Sequence, residues 1–554
     1  MLEGCTPFPA EFAERYVRAG IWRNETIPQA IAKTALARAD SIAVADSTRS
    51  LSYSQLIAEA GAVAALLSRN GIARNDRVIV QLPNCVEFAT LTIACFEVGA
   101  LPVMALPAFR KAELDYLVSF ADAKAIAIAP MHRGFDHAAL ARDLRVRFPQ
   151  MKTILSTAPS DGCVSMREAS RARLEIGSSA ADPFDVALFL LSGGTTGMPK
   201  LIPRTHSDYL YNAREAAGVS GLTSESRILI ALPVEHNFPL GCPGFLGALL
   251  SGARTVFSQS TKAADLADMI ERERITHLPC VPTIALALLD LPQSSHRQLA
   301  SLRVITVGGQ RLQEPTARAL KRAFPHLVVQ QVLGMAEGLL CYTHLDDRDE
   351  VAFATQGRPL SPADEIRIVD AEGTEVAAGA VGELWCRGPY TLRGYFRAPE
   401  RNRDAFTADG FYRTGDVVRL DRSGNLVVEG RIKDLINRGG EKISAEEIEA
   451  HLIAHPRVSA AAVVAMPDAV LGEKACAYLS LREGKTFELS TMREFLAARG
   501  VAQFKWPERI EVVTELPLTN VGKIKKTELR RNIADKLAAE RASLAPRIAT
   551  QQGN

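Results

Sequence analysis

The 554-residue chain of 60.0 kDa is too long for one hydrophobic core, so at least two domains are expected. With 47% hydrophobic and 23% charged residues it has the apolar content of a globular protein, far from that of a disordered one. Its 65 Lys and Arg against 63 Asp and Glu leave a net charge of +2, which excludes a general attraction to nucleic acid or anionic membranes. Any nucleotide is therefore expected as a small ligand.

At the N-terminus, MLEGCTPFPAEFAERY carries early acids and no apolar h-region, so no targeting peptide is expected. Nine scattered cysteines with no CxxC pair read as reduced cytosolic thiols, and the protein is placed in the cytoplasm. Aliphatic runs at Arg77–Leu82, Ala125–Ala129, Val186–Leu191, Arg227–Leu232 and Arg303–Val307 predict strands. Amphipathic stretches between them, such as Tyr53–Asn70 and Ala263–Arg274, predict covering helices, and hence an α/β fold. The most hydrophobic stretch, Phe88–Phe109, is broken by Glu97, Gly99, Pro102 and Pro107, which predicts buried helix and strand over a membrane span.

After about residue 370, AEGTEVAAGAVGELWCRG and DRSGNLVVEGR predict short strands and turns of a small β-rich subdomain. In GRIKDLINRGGEKISAEEIEAHL, Ser444 is expected to cap a helix, with Glu447 reaching back to it. A small α/β domain is expected from about Asp434 onward.

Chemistry concentrates in a few segments. LLSGGTTGMPKLIPRTH, Leu190–His206, sets glycines, Ser192, Thr195 and Thr196 ahead of Lys200, a composition that lets backbone N–H groups and hydroxyls cradle phosphate oxygens. It departs from the Walker spacing, because Leu201 follows the lysine and Pro199 blocks the usual helix start. Downstream lie VGGQRL at Val307–Leu312, LGMAEG at Leu333–Gly338, YRTGD at Tyr412–Asp416, GRIKD at Gly430–Asp434 and LPLTNVGKIKK at Leu516–Lys526.

In this order and at these separations, the six motifs resemble the adenylate-forming superfamily of acyl- and aryl-CoA synthetases, luciferases and peptide-synthetase adenylation domains, over about residues 25 to 530. The resemblance implies a large N-terminal domain of three subdomains, two α/β sheets covered by helices plus a small β subdomain. A small mobile α/β C-terminal domain would follow, dividing the chain into 1–432 and 433–554 at a hinge on Lys433. It implies ATP and Mg2+. Ser192, Gly193, Gly194, Thr195, Thr196, Gly197 and Lys200 would hold the β- and γ-phosphates, and Glu337 would help bind the metal. Gly308, Gly309, Gln310 and Val332 would belong to the nucleotide site with its adenine pocket, Asp416 and Arg431 would hold the ribose, and Lys523 would be the main catalytic residue, bridging carboxylate and α-phosphate.

Within the superfamily, HNFPLGCPG, IPRTH and QQVLGMAEGLL resemble the stand-alone aryl-acid AMP ligases of siderophore biosynthesis, which use salicylate or 2,3-dihydroxybenzoate. By that resemblance Asn237, where amino-acid enzymes carry aspartate, contacts the 2-hydroxyl. Phe238 flanks the ring, and His236 lies between the acid and ATP pockets. Cys242 and Leu340 follow the salicylate pattern; serine and valine at these positions are typical of dihydroxybenzoate enzymes. The implied reaction is formation of salicyl-AMP with pyrophosphate release. Transfer to the phosphopantetheine thiol of an aryl carrier protein follows, with the carrier expected in trans, no partner in nucleic acid or membrane, and the Gly439–Lys442 loop facing the pantetheine. The alternatives are a 2,3-dihydroxybenzoate ligase, an aryl-CoA ligase and a non-catalytic synthetase subunit.

Overall fold

Strands whose side chains are buried on both faces, such as Arg77–Gln81 and Leu101–Met104, read as continuous apolar runs because helices cover both sides of a parallel sheet. The computed structural model describes residues 2–168, 175–177, 181–192, 199–438, 441–468, 470–519 and 522–549. By its internal contacts the chain forms two compact units, residues 1–366 with 385–413, and residues 367–384 with 414–554.

The first unit holds two large sheets. A nine-stranded sheet runs in the order Arg358–Pro359, Gly338–Tyr342, Val328–Met335, Val304–Gly308, His277–Cys280, Arg227–Ile230, Arg254–Phe257, Ile42–Ala45 and Ser50–Ser52. Its inner strands are parallel, and the strands at each end return antiparallel. A seven-stranded sheet runs Leu201–Thr205, Val186–Leu191, Leu101–Met104, Arg77–Gln81, Ala123–Ile128, Thr153–Ser156 and Val164–Ser165, parallel except for the first pair.

Helices close both cores. Leu266 and Ile270, Ile284 and Leu288, and Ala317 and Leu320, from three successive helices, pack with Leu229, Leu278, Ile305 and Val329 of the nine-stranded sheet. Leu114, Leu117 and Leu144 do the same against Ile79, Ile126 and Ile154 of the seven-stranded sheet. Each of these leucines, isoleucines and valines contributes about 1.5–3 kcal/mol by leaving water. The helix Tyr53–Arg69 starts at a capping box in which Ser52 accepts from Gln55 N and the Gln55 side chain returns to Ser52 N.

The stretch Phe88–Phe109 is resolved as expected into a buried helix, Val86–Val98, and the strand Leu101–Met104. Among the described residues no helix is long and apolar enough to cross a membrane.

The expected β-rich segment forms a four-stranded sheet in the order Glu365–Val369, Gly382–Arg387, Tyr412–Leu420 and Leu426–Arg431. In the second unit the hairpin Leu435–Arg438/Glu441–Ser444, the long strands Val458–Asp468 and Gly472–Leu481, and Arg509–Val513 make a further sheet. Helix Ala445–Ile453 packs on it through Ile448 and Leu452. Its start corrects one expectation. Ser444 Oγ accepts from Glu447 N at 3.2 Å, but the Glu447 carboxylate turns away to Lys505 Nζ, at 2.7 and 2.8 Å; a charged partner outcompetes the return hydrogen bond. The α/β class with two helix-covered sheets, a small β sheet and a smaller α/β unit is as the sequence predicts.

Candidate active site

The glycine-rich segment is a hairpin. Val186–Leu191 and Leu201–Thr205 pair antiparallel from Val186↔Thr205 to Leu191↔Leu201, and beyond them Ser192 and Lys200 close the loop's base twice. Ser192 N donates to the Lys200 carbonyl, and Lys200 N donates to Ser192 Oγ, both at 3.0 Å. Gly193, Gly194, Thr195, Thr196 and Gly197 lie outside the described residues. The return as a strand, not a helix, agrees with Pro199 and Leu201 standing where a Walker helix would begin.

Lys200 Nζ lies 4.8 Å from the centroid of the Tyr395 ring. Burial draws its ammonium below the ordinary lysine value, Arg401 adds to this, and Glu337 opposes it. Tyr395 joins this lysine to Glu337: its hydroxyl donates to Glu337 Oε1 at 2.9 Å and meets the Tyr412 hydroxyl at 3.0 Å. Burial, then the Glu337 charge, pushes both phenols well above their ordinary range, so both stay protonated donors. Leu392 N donates to the Glu337 carbonyl at 2.7 Å and fixes the backbone.

Gly308 ends its strand opposite Val332. A Cβ there would stand 2.5 Å from Val332 Cγ1 and 3.4 Å from Phe238 Cε1, so only glycine lets these side chains close on the backbone. Gly309 takes the left-handed conformation, φ +81°, and the half-buried Gln310 follows.

His236 caps the short helix Asn237–Gly241, its Nδ1 accepting from Phe238 N at 3.4 Å. Cys242, Val332 and Leu340 share one apolar cluster, with Phe238 against it. Leu340 lies opposite Gly334, where a Cβ would come within 2.6 Å of Leu340 Cδ2. The structure thus brings together four of the sequence-selected residues around Asn237.

Behind them is a polar layer that the sequence reading missed. The helix His206–Val219 begins with Thr205 and Asp208 as a capping box. Asp208 also binds Arg204 Nε at 2.8 Å, in an ion pair with side chains 0% and 3% exposed. Arg204 donates to the Ala336 carbonyl at 3.2 Å and to Asn212 Oδ1 at 3.4 Å, and its guanidinium lies 4.7 Å from the Tyr209 ring centroid. Tyr209 in turn donates to Asn237 Oδ1 at 2.9 Å. The available signal was the spacing of Asp208 and Asn212, polar residues four apart on the buried face of the helix, with Arg204 four residues before them at the end of the preceding strand.

In the second unit, Asp416 and Arg431 stand opposite each other in an antiparallel pair and form an ion pair of 2.7 Å, the carboxylate buried and the guanidinium half exposed. Lys433 lies in the single turn Ile432–Asp434; burial, then Arg431, holds its ammonium below the ordinary value. Its carbonyl accepts from Arg530 Nη2 at 3.3 Å, and Arg530 also pairs with Asp434. Lys523 sits in a turn closed by Lys523 N donating to Thr519 Oγ1 at 3.0 Å and Thr519 N donating to the Lys523 carbonyl at 2.6 Å. Gly439 lies outside the described residues.

Within the first unit, a hairpin thus ends at Lys200, Tyr395 holds Glu337, and Gly308 packs closely against Val332. Residues 31–396 match the family of AMP-binding enzymes and residues 447–523 the C-terminal domain of AMP-binding enzymes. The chain is 46% identical to a salicylyl-CoA synthase/salicylate adenylyltransferase of a Streptomyces species, over 97% of this chain and 99% of the relative. It is 44% identical to the 2,3-dihydroxybenzoate-AMP ligase of Bacillus subtilis, with the same coverage. Among solved structures, apo MbtA of Mycobacterium smegmatis matches with a TM-score of 0.73 and 44% identity, covering 95% of this chain and 98% of that one. The chain belongs to the AMP-binding enzyme family and is an adenylating ligase.

Proposed function

We propose that this enzyme activates salicylate with ATP to salicyl-AMP, releasing pyrophosphate, and passes the acyl group to the phosphopantetheine thiol of a separate aryl carrier protein in siderophore-type biosynthesis. The observation that carries the choice of acid is the buried pairing of a neutral amide, Asn237, with Cys242 and Leu340. An uncharged amide cannot neutralise the ammonium of an amino acid, yet it bonds a phenol well. A thiol is a weak partner for a 3-hydroxyl and leucine takes the room that group needs. Relatives of both salicylate and dihydroxybenzoate type cover nearly the whole chain, so 2,3-dihydroxybenzoate is the competing acid.

A substrate carboxylate oxygen attacks the α-phosphorus, and the bond from that phosphorus to pyrophosphate breaks. Charge accumulates on the departing pyrophosphate, where Ser192, the loop Gly193–Gly197 and Lys200 would offer donors and a cation. Phe238 would flank the aromatic ring and His236 would stand where acid and nucleotide meet. Gly308, Gly309, Gln310 and Val332 would line the adenine side, and Asp416 with Arg431 the ribose. Lys523 would bridge carboxylate and α-phosphate electrostatically.

Glu337 fits a Mg2+ that arrives with ATP. It is one carboxylate oriented by Tyr395, and among the described residues no group of three His, Cys, Asp or Glu forms a separate cage, which suits an ion held mainly by phosphates and water. When bound, the ion offsets phosphate charge.

We place the division of roles at 1–432 and 433–554, with Lys433 as hinge. Rotation there would withdraw Lys523 and bring the Gly439–Lys442 loop toward the pantetheine. Pyrophosphate exchange with salicylate and 2,3-dihydroxybenzoate side by side tests the acid. A lower kcat/KM for salicylate than for dihydroxybenzoate would reverse the assignment. Cys242→Ser is expected to move the preference toward the dihydroxy acid.

A further inference from the structure

The polar groups behind Cys242 all point one way. The Met335 carbonyl can only accept, so the end of the Asn237 amide facing it at 3.3 Å is Nδ2, and Oδ1 faces the donating Tyr209 hydroxyl. Asn212 is set in the same sense: Oδ1 accepts from the fully buried Arg204, while Nδ2 donates to the Gly241 carbonyl at 2.8 Å and to Cys242 Sγ at 3.4 Å. Asn237 is the second amide against the Cys242 thiol, whose pKa burial pushes up to about 11 against the pull of both amides. Gly241 makes the arrangement possible, because a Cβ there would stand 2.9 Å from the Tyr209 hydroxyl and 3.5 Å from Asn212 Nδ2.

Both amide oxygens are therefore spent on fixed donors, and both Nδ2 ends face acceptors: Asn212 toward the Gly241 carbonyl and Cys242 Sγ, Asn237 toward the Met335 carbonyl. An amide nitrogen carries two hydrogens, so Asn237 keeps a second N–H for a ligand. We propose that Tyr209 and Asn212 are positioning residues that fix the hydrogen-bond polarity of this floor, so that Asn237 presents a donor and selects an aryl acid whose ortho substituent is an accepting oxygen over one with an ortho amine. This rests on the aryl-acid reading above and adds the residues that enforce it. A phenol beside a carboxylate gives its proton to that carboxylate internally and keeps its lone pairs outward. An ortho amine has its lone pair drawn into the ring and would set N–H against N–H. A site built to bond a polar group rejects a misfit far more strongly than an apolar pocket does.

Pyrophosphate exchange with salicylate, 2-aminobenzoate and benzoate on the full-length enzyme tests the proposal. The unaltered enzyme is expected to favour salicylate over 2-aminobenzoate by at least about 100-fold in kcat/KM. Tyr209→Phe, which keeps the ring and removes the donor, should lower the salicylate-to-benzoate ratio about tenfold. The KM for ATP should not follow that ratio, which a general loss of structure would not spare. Asn212→Ser should lower the same ratio and carries the test if the tyrosine variant does not fold. A ratio unchanged in a folded Tyr209→Phe, or equal use of 2-aminobenzoate by the unaltered enzyme, overturns the proposal while leaving the aryl-acid reading intact. No exchange with any aryl acid overturns both.

Discussion

Tyr395 holds Glu337 and at the same time supports Lys200. One face of its ring lies under the ammonium at 4.8 Å, while its hydroxyl reaches a Glu337 oxygen at 2.9 Å. A single aromatic side chain therefore spaces the cation proposed for the phosphates and the anion proposed for the metal. Tyr395→Phe keeps the first contact and loses the second. It is expected to raise the Mg2+ concentration needed for half-maximal pyrophosphate exchange about three- to tenfold, with little change in the KM for salicylate. Tyr395→Leu removes both contacts and should also raise the KM for ATP.

The two lysines of the second unit should separate the half-reactions. Lys523→Ala is expected to slow adenylation about 100- to 1000-fold, while transfer from preformed salicyl-AMP to the carrier persists. Lys433→Pro should leave adenylation measurable and reduce thioester formation by a larger factor. Single-turnover assays with isolated adenylate distinguish the steps, and equal loss of both in either variant contradicts its assigned role.

Arg530 clasps the carbonyl of Lys433 and the carboxylate of Asp434 from the helix Lys526–Ala549, which follows directly on the Lys523 turn. The proposed hinge and the proposed catalytic lysine are thereby tied within one body. Arg530→Ala should loosen that tie and lower the rate of thioester formation about three- to tenfold. Arg530→Lys keeps a charge but not the forked geometry, and should recover only part of the rate. Equal carrier-loading rates in all three proteins would remove the clasp from the mechanism.

Glu446 is half-buried, with one carboxylate oxygen fully enclosed and the Glu449–Lys526 ion pair near it, and this desolvation raises its carboxyl to about 7. A folded-state pKa above the unfolded value near 4.5 means that the native state binds the extra proton. The stabilisation is fully present below about pH 4.5 and is lost as pH rises through about 7. Glu446→Gln, which cannot ionise, should flatten the fall in stability between pH 5 and 8. Thermal melts across that range check this, and parallel profiles for the two proteins would contradict it.

Much of the frame was legible because parallel strands buried on both faces show as aliphatic runs. Val186–Leu191 was bounded correctly, and Arg77–Leu82 ran one residue beyond its strand. The residues around Asn237 were legible as motif words. The layer behind them was not: Arg204 and Asp208 are charged residues on elements that pattern reading assigns to apolar packing, and only the fold shows that they neutralise each other. Glu447 was misread for the opposite reason. Its local capping role is what spacing suggests, but Lys505, 58 residues away, takes the carboxylate, and no local pattern contains that partner.

The clamp between Ser192 and Lys200 extends beyond phosphate chemistry. Because strand neighbours alternate faces, slippage of the Leu191–Leu201 pairing by a single step would point the lysine away from Tyr395. A substitution in the loop that keeps its length leaves this register intact, whereas an insertion or deletion that the turn cannot absorb would silence the ligase with every familiar motif residue still in its sequence.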